Sequence, residues 1–262
     1  MKLEPRKRFG QHFLIDKMII ERILQLINPK PDERLVEIGP GIGALTMPML
    51  ARVNALSAIE LDRDAIPILK AKASHYDAAF HLMQQDVLTV DFATFKTDER
   101  LLRVFGNLPY NISTPLIFHL LTHAALIKDM VFMLQKEVAD RLAAEPGSDD
   151  YGRLSVMVQY HAHVHLHFIV SQDAFNPPPA VLSRMVRIVP HRDYPHKAHD
   201  EKLFADIVKA AFNQRRKTLR NSLKEYAASI PWDTIGIASS QRPEQLSVAD
   251  FVAIANSISV EG

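Results

Sequence analysis

The sequence contains no cysteine, and this absence excludes several classes of function. With no thiol among its 262 residues, the chain has no disulfide framework, no thiolate metal site and no cysteine nucleophile. The absence fits a reducing compartment such as the cytoplasm.

Long hydrophobic runs are also missing. The longest, roughly Pro115 to Ile127, is interrupted by His119, Thr122 and His123, whereas a helix that crosses a bilayer needs about 20 mostly apolar residues. The first ten residues, MKLEPRKRFG, are charged and lack the apolar core of a signal peptide. We therefore expect a cytoplasmic protein with no membrane partner.

Excess charge of one sign is absent as well, because the formal net charge is +1. The basic residues nevertheless form two islands. Residues 1–8 hold four basic side chains against one acid, and residues 209–224 hold six and no acid: Lys209, Arg215, Arg216, Lys217, Arg220 and Lys224. Such islands in a near-neutral protein indicate contact with a polyanion. The alternative is that each island is a solvated helix surface.

Short apolar runs alternate with helical patterns along the first 190 residues. The candidate strands are 34–38, 55–59, 79–83, 101–105, 129–134, about 163–170 and 184–189. Between the first five strands, apolar residues recur every three to four positions, as they do in helices. This alternation predicts an α/β fold with a mostly parallel, doubly wound, seven-stranded sheet. A helix that Asp16 caps and Asn28-Pro29 ends is expected before the sheet.

The composition changes after Pro190. The polar stretch HRDYPHKAHD is followed by helical patterns only. We therefore predict a catalytic domain over 1–190, a linker over 191–199 and a small helical domain over 200–262.

A glycine-rich loop, Gly39-Pro40-Gly41-Ile42-Gly43-Ala44, follows the first predicted strand and precedes a helix. Glycine lets the backbone turn sharply beside a ligand, and the helix start offers free N–H groups.

Two acids follow the next two strands. Glu60 is placed to accept hydrogen bonds from ribose hydroxyls, and Asp86 from the exocyclic amine of an adenine. Together with Gly39 and Gly41 they predict an adenosine-containing cofactor, either NAD(H) or S-adenosylmethionine. Glu37 adds another carboxylate beside the loop, which mildly favours the cationic S-adenosylmethionine.

An alternating histidine run gives a weaker pattern. His163, His165 and His167 would share one face of a strand, and His161 precedes them. Strand positions two apart are separated by about 6.5–7 Å, too far for a compact coordination shell from three successive positions. We expect a solvated or RNA-facing surface there, and no metal.

The strand 101–105 ends in Gly106-Asn107-Leu108-Pro109-Tyr110-Asn111. This stretch resembles the Asn/Asp-Pro-Pro-Tyr type motif of methyltransferases acting on exocyclic amines. With leucine in the second place, it resembles the rRNA adenine N(6)-methyltransferase family, and within it the small-subunit (16S) rRNA adenine N6,N6-dimethyltransferases. The Asn107 side-chain oxygen and the Leu108 carbonyl would each accept an N6–H bond, and Tyr110 would stack on an extruded base.

Further segments resemble the same family. They are 7–14 (KRFGQHFL), 135–139 (QKEVA), 175–183 (FNPPPAVLS) and 212–219 (FNQRRKTL). The resemblance implies that His12, where the family often has asparagine, and Leu14 contact the cofactor. It also places Phe175 across the target base from Tyr110, although an ordinary core aromatic is an equal alternative.

The resemblance implies a Rossmann-like class I methyltransferase that uses S-adenosyl-L-methionine. Its substrate would be two adjacent adenosines in the 3′-terminal hairpin loop of small-subunit rRNA, within a pre-30S particle, and the enzyme would be a monomer. Arg215, Arg216, Lys217 and Arg220 would hold RNA phosphates. Three alternatives remain: a large-subunit rRNA adenine methylase of the antibiotic-resistance kind, an NAD-dependent oxidoreductase, and a non-enzymatic ribosome-assembly factor.

Overall fold

The computed structural model describes residues 12–214 and 217–258. Its described residues form two compact units. The first comprises those up to Ala139 together with His165–Pro190, and the second comprises Asp140–Val164 together with those from His191 onward. The change at Pro190 agrees with the sequence boundary. Residues 140–164, assigned to the first domain from sequence, group instead with the second unit.

The strands have the following bounds: β1 Phe13–Leu14, β2 Arg34–Ile38, β3 Ala55–Glu60, β4 Ala79–Gln84, β5 Leu102–Asn107, β6 Ile127–Gln135, β7 Ala162–Val170, β8 Phe175–Asn176 and β9 Ser183–Pro190. Seven of them form one sheet in the order β4-β3-β2-β5-β6-β9-β7. The pairs among β2 to β6 are parallel, and β9 runs antiparallel to β6. The predicted mostly parallel, seven-stranded sheet is therefore confirmed.

The helices have the following bounds: α1 Lys17–Ile27, α2 Thr46–Leu50, α3 Ala65–Ala73, α4 Ser113–Thr122, α5 Lys136–Leu142, α6 Arg153–His161, α7 Glu201–Phe212, α8 Leu219–Ser222, α9 Trp232–Ile235 and α10 Val248–Ser257. Among the described helices, none combines the length and apolar character that crossing a membrane requires.

Helix α1 begins and ends where the sequence predicts. The Asp16 carboxylate accepts hydrogen bonds from the N–H groups of Met18 and Ile19, which would otherwise be unpaired in the first turn. At the other end, Asn28 adopts a left-handed conformation with φ of 47°, and Pro29 prevents continuation. Both boundaries are thus set by local side-chain and backbone chemistry.

A buried ion-pair network lies beside the carboxyl end of α1. The Arg103 guanidinium donates to both oxygens of Asp129 at 2.7 and 2.9 Å, to Glu33 at 2.7 Å, and to the carbonyl of Ile27 at 2.7 Å. Arg103 therefore ties α1 to strands β5 and β6, and it satisfies a helix carbonyl that has no partner within the helix.

The second unit has its own core, to which α6, α7 and α10 contribute. Tyr160 of α6 and Phe204 of α7 are fully buried, with ring centroids 4.4 Å apart, and Phe251 of α10 belongs to the same cluster. This apolar face explains why residues 140–164 group with the C-terminal helices rather than with the sheet.

One local prediction in this unit is wrong. The spacing of Lys217, Arg220 and Lys224 at i, i+3 and i+7 predicts one face of a single helix, but α8 covers only four residues. Its first N–H groups, those of Leu219 and Arg220, donate to the carbonyls of Gln241 and Ser239, so neighbouring chain sets this turn. All three basic side chains are nevertheless exposed.

The histidine run lies as the sequence predicts. Strand β7 carries His163, His165 and His167, and His161 precedes them as the last residue of α6. Within the part of the chain that the structure describes, no group of three or more His, Cys, Asp or Glu side chains is arranged to hold a metal ion.

Candidate active site

A cavity of about 350 Å³ opens in the first unit at the carboxyl ends of the parallel strands. Ten residues singled out from sequence line it: His12, Leu14, Gly39, Gly41, Glu60, Asp86, Asn107, Leu108, Tyr110 and Phe175. Parallel strands deliver their carboxyl ends, and with them Gly39, Glu60 and Asn107, to one edge of the sheet. The antiparallel pair β1–β8 brings His12 and Phe175, 163 positions apart, to the same cavity.

The glycine loop runs along one wall of the cavity. Gly39 and Gly41 have φ angles of 63° and 56°, values that side chains with a Cβ rarely adopt. The Glu60 carboxylate accepts hydrogen bonds from the N–H of Gly41 at 2.9 Å and from the N–H of Asp62 at 2.8 Å. A carboxylate has about four acceptor sites, so Glu60 can hold the loop and still accept a hydrogen bond from a ligand in the cavity that it lines.

Glu37 is a deeply buried carboxyl in the cavity wall. Like Asp62 it is 2% exposed, and its Oε2 has no hydrogen-bond partner within the described residues. Burial, with a smaller contribution from the nearby charge of Glu60, raises the pKa of Glu37 to about 8. Burying a carboxyl oxygen without a hydrogen bond costs free energy of folding. A cationic or hydrogen-bond-donating ligand at this wall would offset that cost.

Asp86 contributes a carboxylate at the opposite end of the cavity wall. Its Oδ1 caps the short 3₁₀ turn Val87–Thr89 by accepting from the N–H of Leu88 at 3.0 Å. The side chain is exposed, and within the described residues Oδ2 carries no hydrogen bond. Asp86 therefore has an oxygen free for a donor group of a ligand.

Asn107 and Leu108 present two acceptor oxygens at the end of β5. Asn107 Nδ2 donates to the carbonyl of His12 at 3.3 Å, and since that carbonyl only accepts, Oδ1 must be the free end of the amide. The N–H of Leu108 donates to the carbonyl of Met133 at 3.2 Å. Within the described residues, Asn107 Oδ1 and the Leu108 carbonyl have no donor, so both are available to an amine.

Gly106 lies directly before Asn107 in β5, beside the cavity lining, and the sequence pattern alone predicts no role for it. A Cβ at this position would lie 2.4 Å from the Ile38 carbonyl oxygen in β2. Only glycine therefore lets β5 pass this close to the strand that carries the cofactor loop. The glycine in the motif was visible in the sequence, but the strand facing it was not.

Tyr110 is held on two sides. Its hydroxyl lies 2.9 Å from Ser183 Oγ, and its ring is roughly parallel to that of His12, with centroids 6.0 Å apart and planes 29° apart. The His12 ring is itself fixed, because Nδ1 lies 2.8 Å from the Pro177 carbonyl oxygen. Ser183 is a second residue whose role the sequence analysis did not find.

Strand β8 holds strand β1, near the start of the described residues, beside the cavity. Strands β1 and β8 pair antiparallel, with Leu14 opposite Phe175. These two-residue strands were not predicted, because two residues are too few to show alternation. Phe175 lines the cavity, but it is 3% exposed and packs in the hydrophobic core, so little of its ring faces a ligand.

Two residues predicted to contact RNA, Lys217 and Arg220, do not line this cavity. They are exposed residues of the second unit. Arg215 and Arg216, like the basic residues of the first island, lie outside the described residues.

Comparisons with known proteins show which family and fold this chain has. The family described as ribosomal RNA adenine dimethylase matches residues 2–259. A protein of Chromohalobacter salexigens named ribosomal RNA small subunit methyltransferase A is 54% identical over 97% of this chain and 92% of its own length. A protein of the same name from Pseudomonas fluorescens is 55% identical, over 97% of this chain and 93% of its length.

Solved structures show the same fold. A dimethyladenosine transferase from Plasmodium falciparum has a TM-score of 0.79 at 24% identity, over 93% of this chain and 96% of that one. The 23S rRNA methyltransferase ErmE has a TM-score of 0.74 at 21% identity, over 94% and 99%. The fold is thus that of class I methyltransferases, and with the family match over nearly the whole sequence it shows that the chain belongs to the ribosomal RNA adenine dimethylase family.

Proposed function

We propose that this chain transfers methyl groups from S-adenosyl-L-methionine to N6 of two adjacent adenosines in the 3′-terminal hairpin loop of small-subunit rRNA. The observation that carries the proposal is the pair of unbonded acceptor oxygens, Asn107 Oδ1 and Leu108 O, at the rim of a cavity lined with carboxyls. The names of the two relatives above, both small-subunit methyltransferases, favour the small-subunit substrate over the large-subunit alternative.

The cavity lining fits S-adenosylmethionine better than NAD. Four acids line it, Glu37, Glu60, Asp62 and Asp86, and no lysine or arginine does so within the described residues. A pyrophosphate would face these acidic side chains, of which Glu37 keeps its proton at neutral pH. The sulfonium and ammonium charges of S-adenosylmethionine are complementary to the ionised carboxylates among them. The volume also lies within the range of about 300–1,000 Å³ found for small-molecule sites.

Individual residues would hold separate parts of the cofactor. Glu60 would accept from the ribose hydroxyls and Asp86 from the adenine amine, while Gly39 and Gly41 allow close approach of the backbone. His12 and Leu14 would cover the methionine part. When bound, the cofactor supplies an electrophilic methyl carbon, so the protein's task is to bring a nucleophile into line with it.

The substrate amine is a poor nucleophile, because its lone pair is delocalised into the adenine ring. Asn107 Oδ1 and Leu108 O would each accept one N6–H bond, which orients the lone pair toward the methyl carbon. Pro109 stiffens the turn between them and Tyr110. Stacking of the extruded base on Tyr110 contributes about 1–3 kcal/mol, and it would retain the base after the first methyl group has replaced one N–H.

RNA binding would depend on the basic islands. Lys217, Arg220 and Lys224 are exposed residues of the second unit. We propose that residues 200–262 of this unit form the RNA-contacting domain. Phosphate contacts of this kind weaken with salt. Arg215 and Arg216 would add to them, and the partner would be a pre-30S particle bound by a monomeric enzyme in the cytoplasm.

The decisive experiment incubates the purified protein with labelled methyl donor and under-methylated small subunits, followed by nucleoside analysis. We expect N6,N6-dimethyladenosine at two adjacent positions, and its loss in Asn107→Ala. Asn54→Ala is the matched control, because Asn54 is an exposed asparagine that binds Asp32 away from the cavity. Only monomethyladenosine after exhaustive reaction would contradict the two-step proposal, and label in large subunits alone would favour the antibiotic-resistance alternative.

The non-catalytic alternatives have their own outcomes. An assembly factor predicts that Asn107→Ala preserves cellular function, and an oxidoreductase predicts NADH binding with no effect of that substitution on turnover. Neutralising Arg215, Arg216 and Lys217 together is expected to weaken RNA binding and leave cofactor affinity unchanged. Equal loss of both affinities would indicate misfolding instead.

A further inference from the structure

Ser183 is a buried polar residue with no role in the activity proposed above. It is 1% exposed, and within the described residues its hydroxyl has a single hydrogen-bond partner, the hydroxyl of Tyr110 at 2.9 Å. Burying a hydroxyl costs free energy unless it is hydrogen-bonded. A serine here therefore depends on Tyr110, and the orientation of Tyr110 depends in turn on the serine.

The backbone around Ser183 is fixed. Ser183 begins β9 and lies opposite Gln135, the last residue of β6. The preceding carbonyl, that of Leu182, accepts from the N–H of Lys136 at 2.9 Å. Pairing of Ser183 with β6 and the hydrogen bond at Leu182 together fix the backbone that carries the Ser183 hydroxyl. The hydroxyl is therefore a rigid anchor.

Tyr110 needs such an anchor, because it follows a turn rather than lying in a strand. It comes three residues after the end of β5, and β6 separates β5 from β9 in the sheet. The phenol therefore extends across the end of β6 to reach Ser183. Without the hydroxyl contact, rotation about the ring torsion would be restrained mainly by packing, since that torsion has a broad minimum.

The other contacts of Tyr110 restrain its ring face and its backbone, so the bond to Ser183 is what restrains the hydroxyl end of the ring. His12 lies alongside Tyr110 with centroids 6.0 Å apart, which limits the face of the ring but not its hydroxyl end. Ser113 Oγ donates to the Tyr110 carbonyl at 3.2 Å, which holds only the backbone. Burial raises the pKa of the Tyr110 phenol, so the hydroxyl keeps its proton and the pair stays bonded at neutral pH.

We propose that Ser183 is a positioning residue for methyl transfer: it fixes the plane of the Tyr110 ring so that a stacked adenine presents N6 to Asn107 Oδ1 and Leu108 O. This inference rests on the proposed function. Ser183 does not line the cofactor cavity, so its effect should reach the base and not the cofactor. An error of about 1 Å in such positioning can cost about 100-fold in rate.

The test compares Ser183→Ala, Tyr110→Phe and the double variant in single-turnover methyl transfer to small subunits. Both single variants lack the hydroxyl pair, so each is expected to slow transfer by about 10- to 100-fold. The double variant should be no slower than either single variant, because both changes remove the same interaction. Cofactor affinity, measured by titration calorimetry, should stay at the wild-type value in all three.

A spectroscopic measurement separates positioning from general destabilisation. An RNA hairpin carrying 2-aminopurine at the target adenosine reports stacking by fluorescence quenching. We expect weaker quenching by Ser183→Ala and recovery of both quenching and rate by Ser183→Thr, which retains a hydroxyl. Ser155→Ala is the control, because Ser155 is equally buried and its hydroxyl donates to the Arg141 carbonyl at 2.6 Å, in the other unit.

Each outcome is decisive for one of the two proposals. If wild-type protein methylates but Ser183→Ala matches it in rate and quenching, Ser183 has no positioning role and the methyltransferase function stands. Additive losses in the double variant would also overturn the proposal, since the two hydroxyls would then act independently. If the wild-type protein itself transfers no methyl group, the proposed function fails first.

Discussion

Gly106→Ala gives the sharpest test of how the fold builds the active site. The added Cβ would lie 2.4 Å from the Ile38 carbonyl oxygen, whereas ordinary contacts of this kind begin at 3.4 Å. Strands β2 and β5 must therefore separate by about 1 Å at the floor of the cavity. Ile38 precedes the glycine loop proposed to hold the cofactor, and Gly106 precedes Asn107, proposed to hold the substrate amine. Separating the two strands would therefore move the substrate amine away from the cofactor.

A displacement of about 1 Å between reacting groups is expected to lower the methyl-transfer rate about 100-fold, roughly 2.7 kcal/mol in activation free energy. Forcing extra volume into the packed sheet should cost about 1–3 kcal/mol of stability as well. Single-turnover kinetics and thermal denaturation measure the two effects. Gly152→Ala is the control, because a Cβ there would meet no atom within 4 Å. A folded Gly106→Ala enzyme with the wild-type rate would refute the reasoning.

Three further predictions concern buried charges. Arg103→Leu leaves Asp129, among the residues that the structure describes, with only a 3.5 Å contact to Arg187. We therefore expect a loss of about 3–5 kcal/mol in urea unfolding, much of it recovered when Asp129 is also replaced by leucine. Burial opposes ionisation of Glu33, but hydrogen bonds from Lys128 and Arg103 lower its pKa to about 2. Its contribution is therefore present above pH 4.5 and lost as the pH falls toward 2, so acid titration of thermal stability should be flatter in Glu33→Gln. The stability contribution of Glu37 changes with pH in the opposite direction. Burial raises its pKa to about 8, so the folded protein keeps a proton that the unfolded chain loses, and stability falls as the pH rises from 4.5 to 8. Glu37→Gln should raise the thermal midpoint of the ligand-free protein at pH 8 and leave it nearly unchanged at pH 4, and an equal shift at both pH values would contradict this.

Much of the architecture follows from local sequence, and particular elements show why. All seven strands of the large sheet lie within about two residues of their predicted bounds, because each is a short apolar run between clear turn residues. The start of α1 depends on one side chain, Asp16, bonding to amides two and three residues away. Glu60 and Asp86 could be assigned to one edge from strand order alone, since parallel strands end together.

Other features depend on chain segments that meet only in the folded protein. The start of α8 is capped by the carbonyls of Ser239 and Gln241, about 20 residues downstream, and α6 joins the second unit through packing against α7. A helical or apolar pattern does not say which distant surface will cover it. Predictions from pattern alone therefore failed at these two places.

The chemistry of the site divides in the same way. The sequence by itself determined which groups are available: the glycine loop, the acids after the strands, and Asn107 with its neighbouring carbonyl, because each is encoded by residue type and by its position relative to a strand. Only the tertiary structure decided that β5 passes the Ile38 backbone closely enough to require Gly106, and that Ser183 contacts Tyr110, 73 positions away in the sequence. The physical reason is that a contact between distant residues depends on strand order and backbone separation, which no single segment of the chain contains.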